Sequence, residues 1–199
     1  MSAQLRPGAG AVDVDNLAGS QLATNHLLQL GCRTIGFIGT HQHWSWLAGE
    51  QRRIGWQRSL QKAGLQPIST LMEDGDWSAA SGERAFHQLI ERHPNIDAVF
   101  AANDQMAMGV LQAAHRLGRR VPDDLAIVGY DNLPEAGYLW PSLTTIHQDL
   151  PEMGRMAVHN LQPWLEPRER ASQHAMVFVR PELVVRESTV KRIDTSIEA

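Results

Sequence analysis

The sequence predicts an α/β fold, a doubly wound parallel sheet, and three observations carry that expectation. Short apolar, β-branched runs alternate with amphipathic stretches of helical length, the pattern of crossover units. The runs are apolar at nearly every position, as strands are when helices cover both faces of a sheet. The amphipathic stretches end in Gly or Pro, and right-handed crossovers between such units leave an open doubly wound sheet as the economical topology.

A helix is expected over 17–30, preceded by Asp15 and Asn16 and closed by Gly31. Residues 34–38 form a buried strand, and 48–63 a helix with Gly64 at its C′ position. Residues 69–72 form a weaker strand. Residues 78–93 form a helix with Ser78 as N-cap and Pro94 beyond its end. A strand over 96–101 is followed by a helix over 104–117, capped by Asn103 and stopped by Gly118, and by a strand over 125–128. After Asp131 the rhythm breaks. Residues 132–142 read as a loop containing Tyr138, Leu139, Trp140 and Pro141, and 143–146 as a short strand. A helix over 152–165 and strands over 176–179 and 183–185 complete the elements, and the tail from Lys191 is expected to fray. Residues 11–14 and those from Gln148 onward close no second domain by themselves and read as pieces of a neighbouring lobe.

With 199 residues, 43% of them hydrophobic, the chain can bury a sizeable core. That apolar content, with 16 Gly and 10 Pro scattered along the chain, excludes disorder, collagen and coiled coil. A net charge of −4 lacks the basic excess of a module that grips phosphate backbones, so nucleic-acid binding by these residues alone is not expected. The one cysteine, Cys32, excludes an internal disulfide and reads as an inert buried thiol in an apolar helical context. Residues 1–10 carry neither an apolar core nor a basic start, and no apolar run approaches the roughly 20 residues that span a bilayer. The chain reads as soluble and cytoplasmic, with no membrane partner.

In open parallel sheets, ligands bind beyond the carboxyl ends of the strands. The first strand leads into Thr40, His41, Gln42, His43, Trp44, Ser45 and Trp46, and Arg52 lies in the first turns of the next helix. The second strand leads into Asp76 and Trp77, the third into Asn103, the fourth into Asp131, and Gln148 follows the short strand after the break. Together they offer a guanidinium, a carboxylate, two amides and an indole. That inventory suits a sugar, whose hydroxyls both donate and accept and whose apolar face packs on an aromatic ring. Singly, Asn103 and Ser78 read as helix caps and Asp131 as a turn residue; their convergence on one sheet edge favours a site. Of the tryptophans, Trp56 reads as core and Trp164 as part of the neighbouring lobe. The sequence has no Gly-rich phosphate loop, no Cys/His or Ser/His dyad at motif spacing and no His-Glu-x-x-His, so it does not read as an enzyme and no cofactor is expected. His41 and His43 lack an evident Cys or carboxylate partner, and no metal is expected.

Several motifs carry a resemblance. Asp15-Asn16-x-x-Gly19, Ala102-Asn103-Asp104-Gln105-Met106-Ala107-x-Gly109, Val128-Gly129-Tyr130-Asp131 and Pro141-x-Leu143-Thr144-Thr145-Ile146-x-Gln148-Asp149 occur in that order. With Gly75-Asp76-Trp77-Ser78 and a C-terminal Pro181-Glu182-Leu183-Val184-Val185-Arg186-Glu187-Ser188, the chain resembles the effector-binding core of the LacI/GalR family of transcriptional regulators over about residues 12–189. The resemblance implies a lobe like those of periplasmic sugar-binding proteins, with fragments of a second lobe. Residues 1–10 fall outside the family pattern, 11–15 end the other lobe, 16–147 form the effector lobe, 148–190 are crossover and terminal elements, and 191–199 are a tail. It places most of the second lobe, and a helix-turn-helix headpiece that reads operator DNA, before residue 1.

The same resemblance gives roles. Arg52 matches an arginine that makes two bonds to effector hydroxyls, Asn103 and Asp131 a polar pair reading further hydroxyls, Gln148 a crossover residue beside the ligand, and Trp77 an aromatic wall. The effector implied is a sugar, with a galactoside among the candidates. The loop over 39–49, with His41, His43, Trp44 and Trp46, departs from the family pattern. Helix geometry puts Met106, Val110, Ala113 and Leu117 on one face and Met108 opposite. Since the resemblance places this helix and the loop after Asp131 at a dimer interface, a homodimer burying Met108, Leu139 and Trp140 is expected. The alternative reading is a periplasmic-type sugar carrier with no DNA-binding role.

Overall fold

The computed structural model describes residues 11–40, 46–165 and 176–190. Its main sheet has six strands in the order β3-β2-β4-β5-β6-β8. They are β2 (Ile35–Gly39), β3 (Met72–Asp74), β4 (Ala98–Ala101), β5 (Ala126–Asp131), β6 (Thr144–His147) and β8 (Glu182–Val184). The pairs from β3 to β6 are parallel, and β8 closes the sheet antiparallel to β6. The chain runs outward from β2 to β3, then crosses back to β4 on the other side of β2. The order therefore reverses between β2 and β4, and the crevice outside their carboxyl ends is where such sheets bind ligands.

Helices α1 (Asn16–Gln29) and α2 (Trp46–Lys62) pack together, as do α3 (Ala79–Arg92) and α4 (Asp104–Arg116). Since the crossovers through α2 and α3 run in opposite directions, right-handedness sets these two helices on opposite faces. Strands β2 and β4 are buried at every residue, which explains their unbroken apolar reading. At the centre of the core, Phe37 lies 5.8 Å from Trp56 and 5.5 Å from Phe100 between ring centroids. A second, two-stranded sheet pairs β1 (Ala11–Val14) in parallel with β7 (Met176–Val179), and α5 (Leu150–Leu165) packs on both.

The helix caps fall where the sequence puts them. Ser78 accepts from the Ser81 amide at 3.2 Å and Asn103 from the Met106 amide at 2.8 Å. Gly31, Gly64 and Gly118 take the positive φ that ends a helix.

Four expectations need correction. Residues 69–71 form a 3₁₀ turn (Ser69–Leu71) and the strand begins only at Met72. Leu71 alone of the three is buried, and a tight turn suffices to bring it inward. The stretch 132–142 contains a 3₁₀ turn over Pro134–Gly137, started by Pro134, whose fixed φ suits a first helical position. Leu117 does not cover the sheet. It is the C-cap of α4, 44% exposed beyond the last turn, and Ala107 and Ala114 complete the covered face with Met106, Val110 and Ala113. Cys32 lies after α1 rather than within it and is only half-buried. Burial, with the nearby Asp97 charge, still pushes its thiol up to about 11, so it remains a protonated, poor nucleophile.

Candidate functional site

Arg52 projects from α2 across the reversal point and is 5% exposed. Its place is fixed from behind. The Ser20 hydroxyl of α1 donates to the Arg52 backbone carbonyl. The side chain donates through Nε to Asn16 Oδ1 at 2.8 Å and through Nη1 to the Ala102 carbonyl at the end of β4. Its guanidinium carbon sits 3.5 Å from the ring centroid of Tyr130 and 5.8 Å from that of Trp77. Burial lowers the proton affinity of this arginine, opposed by Tyr130 and Asp131. The stack over Tyr130 supplies cation–π attraction to a charge removed from water.

Asp131 ends β5, and its Oδ1 lies 3.7 Å from Arg52 Nη1. The same oxygen accepts from Gln148 Nε2 at 2.6 Å. Burial raises the Asp131 pKa, while Arg52 and the Gln148 bond act to lower it. Asn103 uses Oδ1 to cap α4 and Nδ2 to donate to the Trp77 carbonyl at 2.9 Å, so it joins the third and second strand ends. Trp77 and Asp131 have φ values of 70° and 115°, and the next residue, Asn132, has 56°. Such left-handed backbone costs on the order of 1–3 kcal/mol per non-glycine residue and gathers where a site dictates geometry.

Arg52, Trp77, Asn103, Asp131 and Gln148 thus form one linked set at the carboxyl edge of the sheet. Of the other expectations, His41, His43 and Trp44, with the side chains of Trp46 and Trp164, lie outside the described residues. Trp56 is fully buried. Met108 is partly buried, Leu139 packs in part against the core of its own lobe, and Trp140 is 76% exposed. Tyr138, two residues before Trp140, is 91% exposed.

Asn16 and Tyr130 complete the site and were not singled out from the sequence. Asn16 read only as the start of a helix, yet its amide donates to the Val14 carbonyl at 3.2 Å while its oxygen holds Arg52. Tyr130 read as one of the residues that follow the fourth strand, with no role assigned to it, whereas the strand runs through it to Asp131. A signal existed in the motif spacing: a Cβ at Gly19 would collide with the Tyr130 hydroxyl, so the glycine of Asp15-Asn16-x-x-Gly19 makes room for that ring.

The set presents donors, a carboxylate acceptor and an indole face, which is recognition chemistry for hydroxyl-bearing molecules. Among the described residues, no three His, Cys, Asp or Glu side chains gather as a metal site would need, and no helix is long and apolar enough to cross a membrane.

Comparison with known proteins agrees with this architecture. Residues 24–189 match the periplasmic binding protein-like domain family. The chain is 40% identical over 144 residues to the HTH-type transcriptional regulator CelR of Thermobifida fusca, covering 72% of this chain and 42% of that protein. It is 36% identical over 176 residues to the HTH-type transcriptional repressor PurR of Serratia proteamaculans, covering 88% and 50%. The solved structure of a CelR–cellobiose complex superposes with a TM-score of 0.81 at 33% identity, over 94% of this chain and 56% of that one. A LacI-family regulator from Sanguibacter keddieii superposes with a TM-score of 0.85 at 32% identity, over 95% and 70%. The chain spans about half the length of the curated relatives it matches. By fold, motif order and this breadth of similarity, the chain belongs to the periplasmic binding protein-like domain family, in the form that serves as the effector-binding domain of LacI/GalR regulators.

Proposed function

We propose that this chain senses a sugar and dimerises as part of a LacI-type transcriptional regulator working in the cytoplasm. The observation that carries the reading is the linked set of Arg52, Asp131, Gln148, Asn103 and Trp77 at the reversal point of the sheet. Arg52 and Asp131 offer paired donors and an acceptor to ring hydroxyls, Asn103 and Gln148 add amides, and Trp77 faces the apolar side of the ring. A relative solved with cellobiose supports a sugar as the effector class, and galactosides belong in the same screen. In this reading, residues 16–147 form the effector lobe, while 11–15 and 148–190 are shared with a second lobe. DNA contact falls to a headpiece outside the chain, and the role is ligand recognition rather than catalysis. Curated relatives named as transcriptional regulators favour this over a periplasmic carrier.

The test is a thermal-shift screen of cellobiose, lactose and other sugars on the regulator that carries this chain, since a ligand of the native state raises apparent stability. A sugar that stabilises the wild type and not Arg52→Ala is the expected result. A hit whose shift survives Arg52→Ala would move the site elsewhere.

A further inference from the structure

Asp104 is fully buried at the first residue of α4, one position past Asn103, and its carboxylate hydrogen-bonds to residues outside the five of the proposed site. Its Oδ2 accepts from the Leu133 amide at 2.7 Å and its Oδ1 from the Thr145 hydroxyl of β6 at 2.5 Å. Thr145 Oγ1 in turn accepts from the Asn132 amide at 3.3 Å. Asn132 Oδ1 takes a 2.7 Å bond from Arg186 in the C-terminal segment, and its amide nitrogen meets His147 Nδ1 at 3.2 Å. All these bonds converge on the corner where Asp131 and Asn132 hold consecutive positive φ values. At Gly129, just before the corner, a Cβ would strike Asp104 Oδ1, so the backbone of β5 lies directly against the carboxylate.

A strained corner persists only where its surroundings over-determine it. We infer that Asp104 is a positioning residue for the sugar site: its carboxylate pins the corner after β5 and thereby fixes Asp131 against Arg52. The inference rests on the sugar reading of that site for its ligand, and on the hydrogen-bond geometry for the lock. A carboxylate suits this task because both oxygens only accept, and the Leu133 amide and Thr145 hydroxyl both donate.

The lock is titratable. Burial pushes Asp104 up to about 6, against the lowering effect of the Thr145 and Leu133 bonds; Asp131 raises it further and Arg186 lowers it. When Asp104 takes up a proton, one oxygen becomes a donor, and the bond it had accepted is lost, if from the Leu133 amide, or must reverse, if from the Thr145 hydroxyl. The corner is therefore tight above about pH 6 and loosens below it. The group's effect on global stability runs the other way. Because its folded pKa is raised, its contribution to folding is fully present below the ordinary aspartate pKa and is lost as pH rises through about 6. Loosening of the corner in mild acid is thus separable from acid unfolding caused by this group.

The experiment is amide hydrogen exchange on the chain, followed by NMR and corrected for intrinsic rates, at about pH 5 and about pH 7.5, for wild type, Asp104→Asn and Thr145→Val. Calorimetric titration with cellobiose accompanies it, in the regulator that carries the chain. Protection at Leu133 and Asn132 is expected to fall about tenfold in Asp104→Asn, as it does in wild type on acidification, while β2 amides hold and the variant loses its pH response. Cellobiose affinity should fall by a similar factor. Unchanged Leu133 protection, an acid response that persists in Asp104→Asn, or unchanged cellobiose affinity in that variant would overturn the assignment. Should Asp104→Asn not fold, Thr145→Val decides: it removes the hydroxyl that joins Asp104 to the Asn132 amide, keeps the charge, and must lower protection at Leu133, whose acceptor is Asp104 itself. A wild type indifferent to cellobiose counts against the sugar as ligand, while the exchange data decide the lock by themselves.

Discussion

At Arg52 the stacking and hydrogen-bonding contacts can be separated by substitution. The guanidinium lies over the face of Tyr130, and the buried Tyr130 hydroxyl has no geometric hydrogen-bond partner among the described residues. Tyr130→Phe keeps the ring and removes a desolvated hydroxyl, so stability should stay within about 0.5 kcal/mol or rise by up to about 1 kcal/mol. Chemical denaturation measures this, and a loss of more than about 1 kcal/mol would show that the hydroxyl has a partner. Arg52→Ala removes buried charge-assisted bonds and should cost on the order of 2 kcal/mol of sugar binding, about thirtyfold by calorimetry. Wild-type affinity in that variant would sink the assignment. Arg52, Asn103 and Asp131 were legible because each follows a strand end, where the topology alone predicts a crevice. Asn16 was not, because its contact with Arg52 joins different helices and no local pattern encodes it. The positive φ at Trp77 was hidden too, since a bulky aromatic is a residue for which that conformation is not anticipated.

Packing between helices accounts for residues that propensity alone would not choose. Gly82 and Gly109 let α3 and α4 approach backbone to backbone. A Cβ at Gly82 would meet the Met106 carbonyl, and one at Gly109 the Ala79 carbonyl and, at 2.6 Å, the Glu83 nitrogen. No flexible side chain stands there to give way, so Gly109→Ala should destabilise by about 2 kcal/mol or more, although alanine is the better helix former in isolation. A denaturation midpoint equal to wild type would refute this. The order of helices and strands was legible because both faces of the sheet are covered, which makes the strands uniformly apolar. The edge was less so. β3 carries Glu73 and Asp74 on a partly exposed strand, so its polar sequence hid it while the β-branched Thr70 drew the expected strand three residues early. At the end of α4 the wheel included Leu117 because it ignores where the helix stops relative to the sheet.

For the whole molecule, the exposed aromatics after β5 bear on assembly. Trp140 and Tyr138 are largely exposed, and Met108 and Leu139 are partly buried. A two-fold contact through this surface is the expected assembly, and Trp140→Asp should weaken it at least about thirtyfold in sedimentation equilibrium, the scale of an interface aromatic. A wild type that is strictly monomeric at micromolar concentration would dismiss the contact. The pairing of β1 with β7 has a different consequence, in the order of assembly. Each parallel pair from β3 to β6 joins segments nearer in sequence, whereas paired residues of β1 and β7 are 165 apart. The β1–β7 pairing therefore carries a larger loop-closure cost than any parallel pair between β3 and β6, and in refolding it is expected to form after them.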